Sequence, residues 1–162
     1  MDNIIRIRRA TADDAGALIG FAAAMALETE RKVLLPEVIG AGVHHLLRHP
    51  AAGFYLVAES GGQVAGALMV TNEWSDWRNG NFWWVQSVYV RPEFRRRGVY
   101  RTLYRHLQTL AAHDSSVCGF RLYVERENVR AQATYRTSGM EQTHYILFEE
   151  LKPGIRFYDP AK

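Results

Sequence analysis

The run Val88-Tyr89-Val90-Arg91-Pro92-Glu93-Phe94-Arg95-Arg96-Arg97-Gly98-Val99-Tyr100-Arg101 joins an apolar, β-branched stretch to three consecutive arginines and a glycine. If a strand ends at Pro92 and a helix opens after Gly98, the N–H groups of the first helical turn have no partner inside the helix and carry the positive end of its dipole. Such a turn can receive a pyrophosphate. Gly98 lets the backbone come close to a bulky anion, and Arg95, Arg96, Arg97 and Arg101 add charge-assisted bonds. A basic triplet standing alone is more often a solvated helix start, so the reading depends on its surroundings.

Acids beside tryptophans form a second group. Glu73, Trp74, Asp76 and Trp77 precede Trp83 and Trp84, and Glu28 and Glu30 close an earlier helical pattern. Carboxylates next to aromatic faces suit a cationic amine; taken singly, each is an ordinary surface charge or core aromatic. The six histidines show no metal spacing backed by carboxylates, so no metal is expected.

Several elements must position these residues. Asn3 to Arg8 alternates as a short strand, and Thr11-Ala12-Asp13-Asp14 offers a cap for a helix running to about Leu27. A polar break follows, then a second helix from Pro36 to the His49-Pro50 region. Phe54 to Glu59 and Gln63 to Thr71 read as antiparallel strands joined through Ser60-Gly61-Gly62. Asn72 to Asn81 reads as a loop, and Phe82 to Val90 as the most aromatic strand of the chain. A helix over Gly98 to Ala112, a strand over Phe120 to Val124, a short helix from Asn128 to Ser138 with Gly139 beyond its end, and a strand over Thr143 to Phe148 complete the order. The pattern predicts an α+β fold, a single domain over residues 1–150 with a central mixed, mostly antiparallel sheet flanked by about four helices. The tail over 151–162 is expected to pack on that domain.

Composition narrows the function classes. At 162 residues, with 48% hydrophobic and 23% charged, the chain fits one globular domain rather than a disordered segment. Its net charge of +3 gives little support to a nucleic-acid-binding module, although 17 of the 20 basic residues are arginines. The single cysteine, Cys118, excludes an internal disulfide and points to a reducing compartment. No apolar run approaches the ~20 residues that span a bilayer, and no long apolar stretch follows a basic leader at the start, so a cytoplasmic protein without membrane partners is expected.

The strand, the Arg95-x-x-Gly98 turn and the helix resemble the acyl-CoA loop of the GNAT acetyltransferase superfamily, whose pattern is R/Q-x-x-G-x-G/A. The resemblance continues through Glu125-Arg126-Glu127-Asn128, Ala131 to Tyr135 and Ser138-Gly139-Met140, similar to that superfamily's second cofactor segment. There are two departures: Tyr100 stands where the pattern has Gly or Ala, and Gln86 stands where several members carry a glutamate base.

The resemblance implies acetyl transfer from acetyl-CoA to a primary amine of a small molecule or peptide, by direct attack in a ternary complex. It assigns pairing with the pantetheine arm to the backbone of Val88, Tyr89 and Val90, and the pyrophosphate to Arg95, Arg96, Arg97, Gly98, Val99, Tyr100 and Arg101. Asn128 would bond the pantetheine further along, and Tyr135 would donate to the CoA sulfur as general acid. Glu28 is the candidate base, acting through water, and Glu28, Glu30, Glu73, Trp74 and Gln86 are the candidate acceptor contacts. A homodimer paired through sheet edges or C-terminal segments is left open. An acetyl-CoA-binding sensor without catalysis is the alternative, fed by Gln86 and Tyr100.

Overall fold

The structure, a computed structural model, describes residues 4–161. Residues 1–3 and 162, which include the start of the expected first strand and the end of the tail, lie outside them. Contacts divide the described chain into two units, residues 4–122 with 157–161, and residues 123–156.

In the first unit, β1 (Arg6–Arg9), β3 (Gly53–Ser60), β4 (Gln63–Ser75), β5 (Gly80–Val90) and β6 (Val117–Arg121) form one sheet in the order β1-β3-β4-β5-β6. Its pairs are antiparallel except β5 with β6, which is parallel. The sheet is therefore mixed and mostly antiparallel, as the pattern predicts. Helices α1 (Ala15–Glu30), α2 (Pro36–Arg48) and α3 (Val99–Ala112) belong to the same unit. A short strand, β2 (Lys32–Leu34), falls in the polar break and pairs antiparallel with β7 (Tyr158–Pro160). That ladder anchors the end of the tail.

Alternation along the strands divides the side chains between two faces. Tyr55, Val57, Ala67 and Tyr89 point to one face and pack with Leu18 and Phe21 of α1 and Val43 and Leu46 of α2. Leu56, Leu68, Val70, Trp83 and Val85 point to the other, where α3 contributes Val99, Leu103 and Leu107. Trp83 meets Phe54 and Phe120 there, and Phe120 in turn meets Tyr104 of α3. Burying side chains of this size contributes roughly 1.5–3 kcal/mol each relative to exposure.

The expected loop over 72–81 is instead the end of one hairpin. β4 runs to Ser75 and β5 begins at Gly80, paired Thr71 with Trp84, Glu73 with Phe82 and Ser75 with Gly80. Polar residues hide this strand because its outer half has no helix to pack under. The strand expected over Phe120 to Val124 lies earlier, at Val117–Arg121.

The second unit holds α4 (Val129–Thr137), capped by Asn128, whose side chain accepts from the Ala131 N–H. Gly139 just beyond it has φ +89°, the left-handed conformation expected at a helix end. The strand expected over Thr143 to Phe148 does not form. Tyr145, Ile146, Leu147 and Phe148 are all exposed, so the alternation that predicts the strand finds no ladder within the described residues.

Candidate active site

The backbone of β5 changes character at Ser87. Ala67 pairs with Tyr89 and Met69 with Gln86, so Ser87 and Val88 together oppose Leu68 alone. Ser87 has φ +49°, which places this β-bulge in the left-handed region. Gly66, opposite Val90, has no room for a side chain, because a Cβ would sit 2.7 Å from the Tyr89 carbonyl oxygen.

Parallel pairing with β6 stops one turn of the ladder earlier. Its last pair is Trp84 with Arg121, and no strand lies on that side of Val85 to Val90 among the described residues. The Arg91 N–H bonds the Ala65 carbonyl across the β4 side. In an antiparallel ladder the intervening residue then turns its own groups outward, so the groups of Val90, and of Val88 before it, turn to the open edge, where Arg95 takes the Val90 carbonyl.

After β5, a single 3-10 turn over Pro92–Phe94 buries Phe94 and leads into the arginines. Arg96 (φ +62°) and Gly98 (φ +80°) are both left-handed, with Arg97 between them at negative φ. Alternating handedness of this kind gathers successive N–H groups into an anion-binding concavity. The first helical bond of α3 runs from the Thr102 N–H to the Gly98 carbonyl, and the N–H groups of Arg96, Arg97, Gly98, Val99 and Arg101 have no acceptor among the described residues. A Cβ on Gly98 would meet only Arg101 Nη2, at 3.8 Å, so backbone conformation rather than crowding calls for glycine here.

Arg95 does not point outward with its neighbours. Its Nε donates to the Val90 carbonyl at 2.9 Å and its Nη2 to Glu28 Oε2 at 2.7 Å, with the guanidinium 5.4 Å from the Tyr89 ring centroid. Glu28 Oε1 accepts from the Tyr89 hydroxyl at 3.0 Å. Burial pushes the Tyr89 phenol up, and the Glu28 carboxylate pushes it the same way. The end of α1 is thereby tied to the end of β5 and to the arginine loop. Glu28 is in place beside the loop, with both carboxylate oxygens already accepting bonds.

The other acids separate. Glu30 is exposed and pairs with Lys32 at 2.5 Å, apart from this tie. Glu73 faces the α1/α2 side of the sheet beyond the helices, where its Oε2 accepts from the Trp84 indole N–H at 2.6 Å and its Oε1 from Arg121 Nη1. Gln86 lies on the same face, donating to Thr71 Oγ1 at 2.7 Å. Trp74 points to the opposite face and is 59% exposed; Trp77, in the turn, is 85% exposed. The expected grouping of acids with Trp74 and Trp77 is therefore replaced by Glu73 with Trp84. Arg121 and Thr71 were not legible as site residues. Only strand register, Thr71 and Arg121 each opposite Trp84, brings them to Glu73 and Gln86.

Within the second unit, Asn128 and Tyr135 stand seven residues apart, nearly two turns, and so share a face of α4. Tyr135 is half-buried, and that burial pushes its phenol up.

The family model for the GNAT acetyltransferase family matches residues 24–140. Among solved structures, one described as a possible acetyltransferase from Clostridium difficile is 41% identical, with TM-score 0.85, covering 92% of this chain and 98% of that one. A predicted acetyltransferase from Clostridium acetobutylicum, solved with acetyl-CoA, shares 14% identity and the fold (TM-score 0.75, covering 91% of this chain and 96% of that one). The aminoglycoside acetyltransferase AAC(6')-Iy with CoA shares 15% identity and the fold (TM-score 0.74, covering 94% and 97%). No curated protein matched. Bulged strand, open edge and arginine loop thus stand in a chain that belongs to the GNAT acetyltransferase family.

Proposed function

We propose that this acetyltransferase moves the acetyl group of acetyl-CoA to a primary amine of a small molecule or peptide, by direct attack in a ternary complex. The open edge of β5 beyond the Ser87 bulge carries the reading, because it leads directly into the concavity where the N–H groups of Arg96, Arg97, Gly98, Val99 and Arg101 have no acceptor among the described residues. An extended amide chain adds to such an edge as a strand does, and a diphosphate suits the concavity. Acetyl-CoA offers both, and it supplies the acyl group already activated as a thioester.

The residues then divide the work. Val88 and Val90 pair with the pantetheine arm, Tyr89 holds the strand to the Glu28 tie, and the amides from Arg96 to Arg101 receive the diphosphate, flanked by guanidinium groups. The outward Val88 N–H donates to the acyl oxygen where negative charge develops in the transition state. Asn128 bonds the pantetheine, and Tyr135 donates its hydroxyl proton to the departing sulfur. Burial favours the neutral phenol needed for that step. Glu28 takes the amine proton through water, on a carboxylate whose two oxygens each already accept one bond. Glu73 and Gln86 line the acceptor side of the sheet.

Release of free thiol from acetyl-CoA against a panel of amines tests the reading, with calorimetric binding of acetyl-CoA measured alongside. Amine-dependent thiol release is expected. Failure of acetyl-CoA to bind at saturating concentration overturns it.

A further inference from the structure

The acceptor side of the sheet carries more positive charge than the acids of the sequence suggest. Arg121 lies over the Phe82 ring at 3.8 Å, and Arg78 stands 5.0 Å from the same ring centroid. Beside these two guanidinium groups stands the Glu73 carboxylate. Each oxygen of that carboxylate already accepts a bond, from Trp84 and from Arg121. A cationic group there would have to share Glu73 with Arg121.

Arg121 is only partly used. Its Nη1 donates to Glu73, and Nε and Nη2 have no protein partner among the described residues. The Glu73 bond and the ring contact fix the guanidinium plane, so the Nε–Nη2 edge is a pre-oriented fork of two parallel donors. Such a fork matches the two oxygens of a carboxylate, and a planar group already held in place loses less freedom on binding. At the other end, Gln86 donates through Nε2 to Thr71 and leaves Oε1 without a protein partner among the described residues, an acceptor for an amine N–H.

We propose that the acceptor is an amino-carboxylate: its amine lies toward Gln86 and its carboxylate seats on the Nε–Nη2 edge of Arg121. The Gln86 amide reaches Thr71, which is opposite Trp84, and the Arg121 guanidinium reaches Glu73, which is opposite Phe82, two residues back along β5 on the same face. Two residues of strand span about 7 Å, so the two charged ends of the acceptor should be roughly 5–8 Å apart. This inference rests on the acetyl-transfer reading.

The test compares a series of unbranched amino acids, from glycine to 6-aminohexanoate, with the carboxamide of each, in the wild type and in Arg121→Lys. Lysine keeps the charge and loses the fork. The wild type should use the longer amino acids at least tenfold better in kcat/KM than their amides, and Arg121→Lys should cut that preference to within about threefold. Acetyl-CoA affinity should stay unchanged, which reports that the variant folds. Equal or better use of the amides by the wild type, or a preference that survives Arg121→Lys, overturns the carboxylate assignment and leaves acetyl transfer standing. Absence of thiol release with every amine, in protein shown to bind acetyl-CoA, overturns acetyl transfer and this assignment with it.

Discussion

The two ends of β5 carry the same construction twice. At one end Arg95 pairs with Glu28, which also accepts from Tyr89, and the guanidinium lies near the Tyr89 ring. At the other, Arg121 pairs with Glu73, which also accepts from Trp84, and the guanidinium lies over Phe82. The difference is in the donors left over. Arg95 spends Nε on the Val90 carbonyl and Nη2 on Glu28, so its pair closes a loop onto a strand. Arg121 spends only Nη1. The same pairing serves as a tie where its Nε–Nη2 edge is taken and as a receptor where that edge remains.

Protonation of the leaving sulfur is the task proposed for Tyr135, so the largest expected effect is assigned to neither pair. Tyr135→Phe should lower kcat about 10²–10⁴-fold, the usual worth of a positioned proton donor, while acetyl-CoA binds as before. Because burial raises the phenol above its ordinary 10.0, the donor is present throughout the neutral range and is lost only as pH rises through that raised value. The rate should therefore show no alkaline fall from this group below pH 10. A full rate in the Phe variant would break the comparison by returning the chemistry to one of the pairs.

A third arginine–carboxylate pair, far from β5 in sequence, sharpens the contrast. Arg8 bonds Asp14 at 2.7 and 2.9 Å and also Glu59, and Asp14 is buried at 6% exposure. The Arg8 guanidinium, more than the Thr11 N–H, holds the Asp14 carboxyl below its ordinary 3.8. A lowered value means that the pair's contribution is complete above the unfolded value of 3.8 and is lost as pH falls through the folded one. Asp14→Asn should destabilise by about 2–3 kcal/mol in denaturant unfolding, below the usual figure for a broken buried pair because Arg8 keeps Glu59. Part of the acid instability should disappear with it. Turnover per folded molecule should not change.

Arg95→Ala comes next. Opening the tie frees the Val90 carbonyl and leaves Glu28 to the Tyr89 hydroxyl, and losing two charge-assisted bonds of about 1.5–3 kcal/mol each from a loop should weaken acetyl-CoA binding roughly 10–100-fold. Calorimetry measures it. An unchanged affinity would mean that the loop holds its shape without Arg95.

How far these features could be read in advance depends on how local their cause is. The loop at Arg95 to Gly98 was legible because a left-handed glycine, a preceding strand and a following helix are all written within a dozen residues. Asn128 was legible for the same reason, since a cap needs only its own first turn. Arg121 was not, because its neighbours Glu73 and Phe82 are set by register in three strands. The outer half of β4 read as a loop since Asn72, Glu73 and Ser75 lack the apolar alternation of a half-buried strand. Tyr145 to Phe148 erred the other way: strand-like side chains were present, but a strand exists only where another offers its N–H and C=O groups.

The smallest effect should come from Trp84→Phe, which removes the indole donor to Glu73 and keeps an aromatic ring. Glu73 would still be held by Arg121, so the guanidinium plane would loosen rather than turn away, and the fork would remain. The Michaelis constant for the amino-carboxylate acceptor should rise about two- to fivefold, within the worth of one hydrogen bond to a charged group on a partly exposed face. The turnover number and the amide rate should stay level. A larger loss, or one shared equally by carboxylate and amide acceptors, would place Trp84 itself against the acceptor and make Glu73 a contact rather than the support of Arg121.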